Sequence, residues 1–414
     1  MSQTVSFIGL GYIGLPTAAL VSSKGINVFG CDINPFIVEA LNNAQSHIVE
    51  PGIEELIQKS VKEGNLKAFV IPQEADVYII AVPTPFKDDY KPDLSYVFQA
   101  AESISHLLKQ NDLVILESTS PVGTTQEMVN ILKKKRPDLN FGSTEIEGNV
   151  FVAYCPERII PGFALKELIS NDRVVGGICS ESTRKAIEFY KQFVEGDCIP
   201  TDAKTAEMTK LTENSFRDVS IAFANELSII CDKLNINVWE LIKLANHHPR
   251  VNILNPGPGV GGHCIAVDPW FIVSACPEEA KLIKMAREIN DFKPKYVVSK
   301  ILDLINQTQK KTVSLFGLAF KPNIDDLRES PSIEILKDLA ENNNIHEIFV
   351  VEPHIMDLPK SLQKYDHIKL TTAHQAIESS DILVMLVGHE SFKKIELEIF
   401  KDKQILDFQG IWIK

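Results

Sequence analysis

The feature that most constrains the fold of this chain is a glycine-rich turn near its N-terminus. A short apolar run, Val5–Ile8, predicts a strand, and Gly9, Gly11 and Gly14 follow it ahead of a helical pattern. In a strand–turn–helix unit, Gly9 allows the tight turn, Gly11 lets a pyrophosphate approach the backbone, and Gly14 lets the helix pack against the strand. The backbone N–H groups at the helix N-terminus complete a phosphate site. The pattern therefore predicts an α/β fold that opens with a dinucleotide-binding unit.

An acidic residue after the next predicted strand indicates which dinucleotide this unit binds. Asp32 follows the apolar run Val28–Cys31, where a carboxylate accepts hydrogen bonds from the adenosine ribose hydroxyls. The same charge repels the 2′-phosphate of NADP, so NAD is the predicted cofactor. Tyr12 and Ile13, inside the turn, join the predicted cofactor-binding residues.

Short apolar runs alternate with helical patterns in both the first and the last part of the chain. Each run is apolar on both faces, which is typical of a buried parallel strand. The candidate strands are Val5–Ile8, Val28–Cys31, Val77–Val82, Leu113–Glu117, Val150–Tyr154, Val174–Ile178, Val313–Phe316, Ile348–Val351, Ile382–Val387 and Gln404–Asp407. Between the two sets, Thr201–Leu234 predicts one long helix, and Val238–Asn246 and Glu278–Leu304 predict further helices.

The two ends of the chain also resemble each other in sequence. The segment SFIGLGYIG near the start is similar to SLFGLAFKP at Ser314–Pro322, and CDINP is similar to VEPHI at Val351–Ile355. Such a weak repeat indicates two copies of one nucleotide-binding-like unit. We predict two Rossmann-like doubly wound domains, residues 1–200 and 305–414, joined by a helical connector, residues 201–304. Ligand clefts are expected at the carboxyl ends of the strands.

Bulk composition excludes several classes of protein. The net charge of −13 and a pI near 5.3 disfavour a nucleic-acid partner. The seven cysteines lack the spacing of a zinc site or a disulfide framework, so we predict no metal and a reducing compartment. No signal-peptide pattern opens the chain, and no apolar run approaches the ~20 residues that cross a bilayer. We expect a cytoplasmic protein without a membrane partner.

A second glycine-rich segment, NPGPGVGGHCIAVDPW at Asn255–Trp270, carries the main candidate for a nucleophile. Its glycines and prolines predict a loop whose backbone N–H groups lie open to a ligand. Cys264 follows directly, with Asp268 four residues on. A thiol on such a loop beside an acid is suited to nucleophilic catalysis. The alternative is a small apolar side chain packed under a loop, which is the commoner role of an intracellular cysteine.

Polar residues line one stripe of the predicted long helix. Glu207, Lys210, Asn214 and Arg217 recur at helical spacing. A solvated face explains such a stripe, since exposed charges are the rule on helices. The apolar sequence that follows instead favours a buried helix, whose polar residues need partners, and a substrate is one candidate.

The loops at the ends of the early strands hold further candidate site residues. Thr84 and Thr119 suit the nicotinamide side of a cofactor, Glu157 is a candidate base, and Arg158 is a candidate contact for an anion. The alternative is that these residues serve only as turn residues.

Basic residues mark a second nucleotide site. Lys321 and Arg328 follow the first strand of the second predicted sheet, where they are candidates to hold phosphates. Arg250 stands shortly before the glycine loop and is a candidate for the same anion. For either arginine, a surface ion pair is the open alternative.

Together these segments resemble the UDP-glucose/GDP-mannose dehydrogenase family over essentially the whole chain. Seven motifs occur in the family's order, which makes chance similarity unlikely. They are GLGYIGLP (Gly9–Pro16), PTP (Pro83–Pro85), STSPVGTT (Ser118–Thr125), PER (Pro156–Arg158), KLTENSFRD (Lys210–Asp218), GPGVGGHCIAVDP (Gly257–Pro269) and FKPNIDDLRESP (Phe320–Pro331).

The resemblance implies oxidation of a sugar C6 alcohol to a carboxylate in two hydride transfers, with two NAD used in turn. After the first hydride transfer, Cys264 captures the aldehyde as a thiohemiacetal. The second hydride transfer converts the thiohemiacetal into a thioester, which water hydrolyses. Lys210 matches the family's acid/base and oxyanion-stabilising lysine, with Asn214 beside it. Glu157 and Asp268 match carboxylates implicated in proton transfer and water activation.

The resemblance also implies which residues surround the UDP-sugar substrate. It further implies a homodimer that forms through the central helices, in which the partner subunit contributes Arg250. Arg328 matches a position near the nucleotide-sugar phosphates and is also placed with the cofactor. The implied substrate-binding residues are Arg158, Ile159, Lys210, Asn214, Arg217, His248, Arg250, Asn252, Gly261, Phe320 and Lys321.

Two departures from the family pattern bear on the sugar. Asn255 stands where UDP-glucose enzymes typically have a lysine, and His263 replaces a smaller residue before the cysteine. Both favour a UDP-2-acetamido sugar over UDP-glucose. The resemblance implies UDP-N-acetyl-D-mannosamine, oxidised for surface polysaccharide synthesis, with UDP-N-acetyl-D-glucosamine as the alternative.

Two other functions remain open at this point. A one-step β-hydroxyacid dehydrogenase shares the N-terminal fold but needs no thiol and makes one NADH per substrate. A non-catalytic sensor of NAD or a nucleotide sugar would keep the fold alone, and the intact Lys210, Asn214, Cys264 and Asp268 argue against it.

Overall fold

The computed structural model describes residues 3–87, 90–142, 149–160, 162–262 and 264–412. The chain divides into two compact units, Met1–Glu213 and Asn214–Lys414. Helix α8, Ala203–Leu234, runs through the boundary and confirms the predicted long helix. No helix among the described residues combines the length and apolarity that crossing a bilayer requires.

The first unit is built on one large sheet with helices on both faces. In its described residues nine strands take the order β3-β2-β1-β4-β5-β7-β8-β9, and β6 pairs with β7. Its strands are β1 (Thr4–Ile8), β2 (Asn27–Cys31), β3 (Leu66–Phe69), β4 (Val77–Ile80), β5 (Leu113–Leu116), β6 (Asn140–Phe141), β7 (Asn149–Tyr154), β8 (Arg173–Gly177) and β9 (Cys198–Asp202). Its helices before α8 are α1 (Gly14–Ser23), α2 (Pro35–Asn42), α3 (Ile53–Lys62), α4 (Ser95–Ser105), α5 (Thr124–Lys135), α6 (Ala164–Ser170) and α7 (Ser180–Tyr190).

The strands are apolar on both faces because both faces are covered. Leu113 and Ile115 of β5 enter one buried cluster, and Val114 and Leu116 enter the cluster on the opposite face. The six strands predicted for this half are confirmed, but one orientation is wrong. Strand β8 pairs antiparallel with β7, because the segment between them holds only the short α6 and re-enters the sheet from the carboxyl side of β7.

The second unit repeats the centre of the first. Its described strands take the order β12-β11-β10-β13-β14, all parallel, which matches β3-β2-β1-β4-β5 strand for strand. The strands are β10 (Thr312–Phe316), β11 (Glu347–Val351), β12 (Ile368–Leu370), β13 (Ile382–Met385) and β14 (Gln404–Asp407). The helices after α8 are α9 (Val238–Ala245), α10 (Asp268–Ala275), α11 (Lys281–Thr308), α12 (Pro331–Ala340), α13 (Ala373–Ser379) and α14 (Glu390–Lys393). The predicted α/β class with two Rossmann-like sheets and a helical connector is confirmed.

Candidate active site

The glycine turn of the first unit has the shape that a dinucleotide phosphate requires. Gly9 has φ +96°, and a Cβ there would lie 2.5 Å from the carbonyl oxygen of Ala81. A Cβ on Gly14 would lie 2.0 Å from the Gly9 carbonyl oxygen, so helix α1 packs on the turn only with glycine. At Gly11, by contrast, a Cβ would meet no protein atom within 4 Å. The turn is thus closed toward the protein and open at Gly11, where the phosphates of NAD fit.

Asp32 lies at the end of β2, where the ribose hydroxyls of the cofactor are expected. Its Oδ2 accepts a hydrogen bond from the Leu10 N–H at 3.0 Å, and its Oδ1 accepts one from the Asn34 N–H at 2.9 Å. These bonds fix the half-buried carboxylate beside the turn and leave acceptor capacity on each oxygen. Tyr12, in the turn, is 50% exposed. This end of the sheet fits NAD.

The loops after β4 and β5 meet at the same edge of the sheet. Thr84 is buried and Thr119 is half-buried. The Ser118 hydroxyl accepts a hydrogen bond from the Val82 N–H at 2.9 Å and thereby ties the two loops together. Thr84 and Thr119 therefore lie on neighbouring loops at the carboxyl end of the sheet, and their contact with the cofactor stays a prediction.

Glu157 belongs to a buried charge cluster that the antiparallel β8 creates. The β7–β8 register pairs Ala153 with Gly177 and Tyr154 with Gly176. Continued beyond the ladder, this register brings Glu157 opposite Arg173, and their side chains form a buried ion pair at 2.9 Å. The other Glu157 oxygen accepts from the N–H of Arg158 at 2.7 Å.

Arg158 and Ile159, the substrate candidates next to Glu157, are half-buried. The Arg158 guanidinium donates to Glu213 at 2.8 Å. Deeper in the cluster, Glu117 accepts a hydrogen bond from the Tyr190 hydroxyl at 2.7 Å. Burial raises the pKa of Glu117 to about 7, although the nearby Arg173 opposes the shift.

The residues of the polar stripe of α8 differ in their burial and in their contacts. Glu207 is fully buried and accepts from the backbone N–H groups of Gly123 and Thr125, at 2.6 and 2.7 Å, and from the Thr125 hydroxyl. It therefore caps the N-terminus of α5, a role that the sequence did not reveal. Lys210, one turn further on, is 8% exposed, whereas Arg217 lies at the surface.

In the second unit, the catalytic candidates gather at the start of α10. Asp268 is the first residue of this helix and is buried. Its Oδ2 accepts a hydrogen bond from the Asn214 side-chain amide. The carbonyl of Cys264 accepts from the N–H groups of Val267 and Asp268, at 3.0 and 2.9 Å, so the cysteine sits one turn ahead of the helix. Its side chain is exposed, which excludes the interpretation as buried apolar filler.

The glycines before Cys264 pack against the loop that follows β10. A Cβ on Gly261 would lie 2.5 Å from the carbonyl oxygen of Glu329 and 2.7 Å from Pro331. Close backbone approach thus explains this glycine. His263, predicted to influence the choice of sugar, lies outside the described residues.

The segment between α9 and the glycine loop forms a closed turn. The Asn246 side chain donates to the Ile253 carbonyl at 3.0 Å and accepts from its N–H at 2.7 Å. His248, Arg250 and Asn252 of this turn are exposed to solvent, and their role in binding the substrate stays a prediction. The N–H of Arg250 donates to the ring nitrogen Nδ1 of His248 at 3.4 Å.

The basic candidates after β10 have local partners. The guanidinium of Arg328 donates to both Asp326 oxygens, at 2.6 to 3.1 Å, as in the surface ion pair that the sequence left open. The Phe320 N–H donates to the Asp326 carbonyl at 3.1 Å and closes the loop. The Lys321 ammonium lies 5.8 Å from the centre of the Phe320 ring.

Sequence reasoning missed a buried carboxylate at the end of β11. Glu352 is 4% exposed, and its Oε2 accepts from the N–H groups of Leu318 and Ala319, at 2.7 and 3.0 Å. The same oxygen accepts from Nε2 of His389, whose Nδ1 accepts from the Asn323 N–H at 2.9 Å. Both ring nitrogens of His389 are therefore engaged, which makes the cluster a hydrogen-bonding network instead of a metal site. The aligned repeat, in which VEPHI matches CDINP, was the signal that could have revealed it.

Comparison with known proteins agrees with this geometry. Models of the UDP-glucose/GDP-mannose dehydrogenase family match the chain in three parts, the NAD binding domain at residues 3–194, the central domain at 204–292 and the UDP binding domain at 314–414. The fold and the turn thus define an NAD-dependent dehydrogenase with a UDP-binding domain. The chain belongs to the UDP-glucose/GDP-mannose dehydrogenase family.

Three relatives illustrate the similarity. A UDP-N-acetyl-D-mannosamine dehydrogenase of Campylobacter jejuni is 55% identical over 97% of this chain and 98% of its own length. An NDP-N-acetyl-D-galactosaminuronic acid dehydrogenase of Ralstonia nicotianae is 51% identical over 99% of this chain and 96% of its own length. The solved structure of the UDP-N-acetyl-mannosamine dehydrogenase Cap5O from S. aureus superimposes with a TM-score of 0.87 at 38% identity and covers 99% of both chains.

Proposed function

We propose that this enzyme oxidises the C6 alcohol of UDP-N-acetyl-D-mannosamine to the carboxylate, with Cys264 holding the intermediate aldehyde. The observation that carries the proposal is the exposed Cys264 at the entrance to α10, one turn from a buried Asp268 that Asn214 binds. The relative named for this substrate, at 55% identity, supports the choice of sugar. The uronate product suits synthesis of a surface polysaccharide.

The proposed chemistry assigns each step to residues of the chain. The Gly9–Gly14 turn and Asp32 would hold NAD, which when bound would supply the hydride acceptor for each of the two oxidations. Lys210 takes the proton of the C6 hydroxyl in the first oxidation and stabilises the oxyanions that follow. Sγ of Cys264 then bonds to the aldehyde carbon while the thiol proton passes to the aldehyde oxygen.

The second oxidation converts this thiohemiacetal into a thioester, and water releases the product. Asp268, oriented by Asn214, and Glu157 are the carboxylates assigned to proton transfer and water activation. Hydrolysis breaks the C–S bond, returns the thiol of Cys264 and leaves the sugar carboxylate. The covalent tether also prevents escape of the reactive aldehyde between the two oxidations.

A panel of nucleotide sugars tests the substrate. With limiting sugar and excess NAD, we expect UDP-N-acetyl-D-mannosamine to give the highest kcat/KM and UDP-glucose to be at least tenfold poorer, about 1.4 kcal/mol in transition-state binding. Comparable turnover of these two sugars would contradict the 2-acetamido assignment. UDP-N-acetyl-D-galactosamine is the second candidate because of the Ralstonia relative, and UDP-N-acetyl-D-glucosamine completes the panel.

We also propose that the chain forms a homodimer through the central helices. On α8, Phe216, Phe223 and Ile230 recur every seven residues and are 75%, 52% and 46% exposed. On α11, Met285 and Phe292 are 54% and 52% exposed. Large apolar side chains on one helical stripe are costly to leave in water, and the family resemblance implies that a second copy covers them.

A charged substitution on this stripe tests the dimer. F223D is expected to shift the protein from dimer to monomer in light scattering coupled to size-exclusion chromatography, because a buried carboxylate opposes the apolar contact. M356D, at a side chain that is 92% exposed in the loop after β11, is the matched control and should stay dimeric. A wild-type monomer, or a dimeric F223D variant, would refute this interface.

A further inference from the structure

A chain of buried amides connects the glycine loop to a charge between α8 and α11. The N–H of Gly257 donates to Oδ1 of Asn225 at 2.9 Å, and Nδ2 of Asn225 donates to Oδ1 of Asn290 at 2.9 Å. Nδ2 of Asn290 donates to Oδ1 of Asp218 at 2.8 Å, and Arg287 donates to the same oxygen at 2.6 Å. The four side chains involved are at most 2% exposed.

The direction of every bond in this chain is set at its charged end. A guanidinium has only donors, so the Asp218 oxygen that receives Arg287 is an acceptor, and Asn290 must present its amide nitrogen to it. The Asn290 oxygen then faces Asn225 and requires a donor there. Asn225 is left with its oxygen directed at the loop. An amide that otherwise has two equivalent orientations is thereby held in the one that accepts from Gly257.

Gly257 is the position where such an anchor is most effective. It lies between Pro256 and Pro258, and proline has no backbone N–H. The Gly257 N–H is therefore the one peptide donor in this Pro-Gly-Pro segment. The Pro-Gly-Pro segment lies at the start of the loop that leads to Cys264. The bond to Asn225 fixes where that loop begins.

We propose that Asn225 is a positioning residue for the catalytic loop, acting through Gly257 to hold Cys264 where it captures the aldehyde. This inference rests on the function proposed above. If the loop loses its anchor, the first oxidation still proceeds, but the aldehyde is captured less efficiently and part of it leaves the enzyme. The defect then appears as incomplete oxidation and not only as lower activity.

The test is the number of NADH formed per sugar consumed, together with trapping of released aldehyde by hydroxylamine as the oxime. For the wild type we expect two NADH and no oxime. For N225A we expect a ratio clearly below two, with oxime formed. N290A removes the partner that orients Asn225 but keeps the Asn225 oxygen that accepts from Gly257, so we expect a smaller fall in the NADH ratio. If N225A does not fold, N290A is tested in its place.

A matched control separates positioning from general loss of stability. S380A removes a buried hydrogen bond between Ser380, at the end of α13, and Ser314 of β10, and should lower the Tm while keeping the ratio at two. A ratio of two in N225A, or an equal fall in S380A, would overturn the inference and leave the proposed function intact. A wild-type ratio of one would instead refute the proposed function itself.

Discussion

The two Rossmann-like units share the conformation of the turn after their first strand but differ in the residues that follow it. Gly9 after β1 and Gly317 after β10 have almost the same backbone conformation, with φ +96° and +95°. Two residues on, however, the first unit has Gly11 and the second has Ala319, and the first unit's Gly14 corresponds to a proline. The strand order and the turn are therefore retained while the phosphate-facing positions differ.

The acids that follow the second strand of each unit explain this difference. Asp32 is half-buried and accepts only one hydrogen bond from the turn itself, the bond from Leu10. Glu352, one carbon longer and buried, accepts from two turn N–H groups, those of Leu318 and Ala319. These two backbone donors of the second turn are therefore already paired, and we expect side chains such as Lys321 to supply the contacts to a nucleotide in this unit.

The largest effect expected from this comparison concerns Glu352. E352A removes the acceptor of the Leu318 and Ala319 N–H groups and of His389, all buried or partly buried. Breaking a buried pair of this kind typically costs about 3 kcal/mol, so we expect a loss of that size in the free energy of unfolding, measured with urea. D32A is the control at the equivalent position, and its expected loss is below about 1 kcal/mol. Equal losses would contradict the comparison.

The second effect concerns binding of NAD. Because a Cβ at Gly11 would meet no protein atom within 4 Å, G11V should fold normally while its side chain occupies the phosphate space. We expect the KM for NAD to rise at least tenfold, about 1.4 kcal/mol, with an unchanged Tm. The reciprocal variant A319G should gain no NAD binding in calorimetry, since Glu352 still occupies that turn. An unchanged KM in G11V would refute the assignment of the first turn.

The smallest effect concerns pH. Burial of Glu352 raises its pKa, but the hydrogen bonds from His389 and the turn backbone outweigh burial, so the pKa lies below its usual 4.5. A lowered folded-state pKa contributes stability that is present above 4.5 and is lost as the pH falls through the folded-state pKa. The free energy of unfolding should therefore fall more steeply below pH 4.5 in the wild type than in E352Q. Parallel pH profiles would contradict this assignment.

Sequence reasoning predicted the elements that carry their own periodicity. All ten candidate strands are confirmed, as are the long α8 and the repeat, because buried parallel strands are apolar on both faces and the breaker-free helix has a clear period. The short strands β3, β6, β9 and β12 were missed, since runs of two to five residues with polar members show no pattern. Helix α10 was missed because Asp268 and Pro269 continue a segment dominated by glycine.

The chemistry of the site was only partly visible in the sequence. The turn and the exposed Cys264 follow from local patterns. The cap formed by Glu207, the Glu157–Arg173 pair and the buried Glu352 depend on residues that are distant in the chain. The local sequence marked Glu157 and Glu207 as candidates and the repeat marked the position of Glu352, but none of these signals identified the partner of the carboxylate. Only the strand register and the packing of the elements bring such partners together.

The most direct test of the proposed two-step oxidation is to count NADH against limiting UDP-N-acetyl-D-mannosamine with excess NAD, in the wild type and in C264S. We expect two NADH and one uronate per sugar for the wild type, and no net uronate from C264S, because serine forms neither the thiohemiacetal nor the thioester. One NADH per sugar in the wild type, or unimpaired uronate formation by C264S, would contradict it.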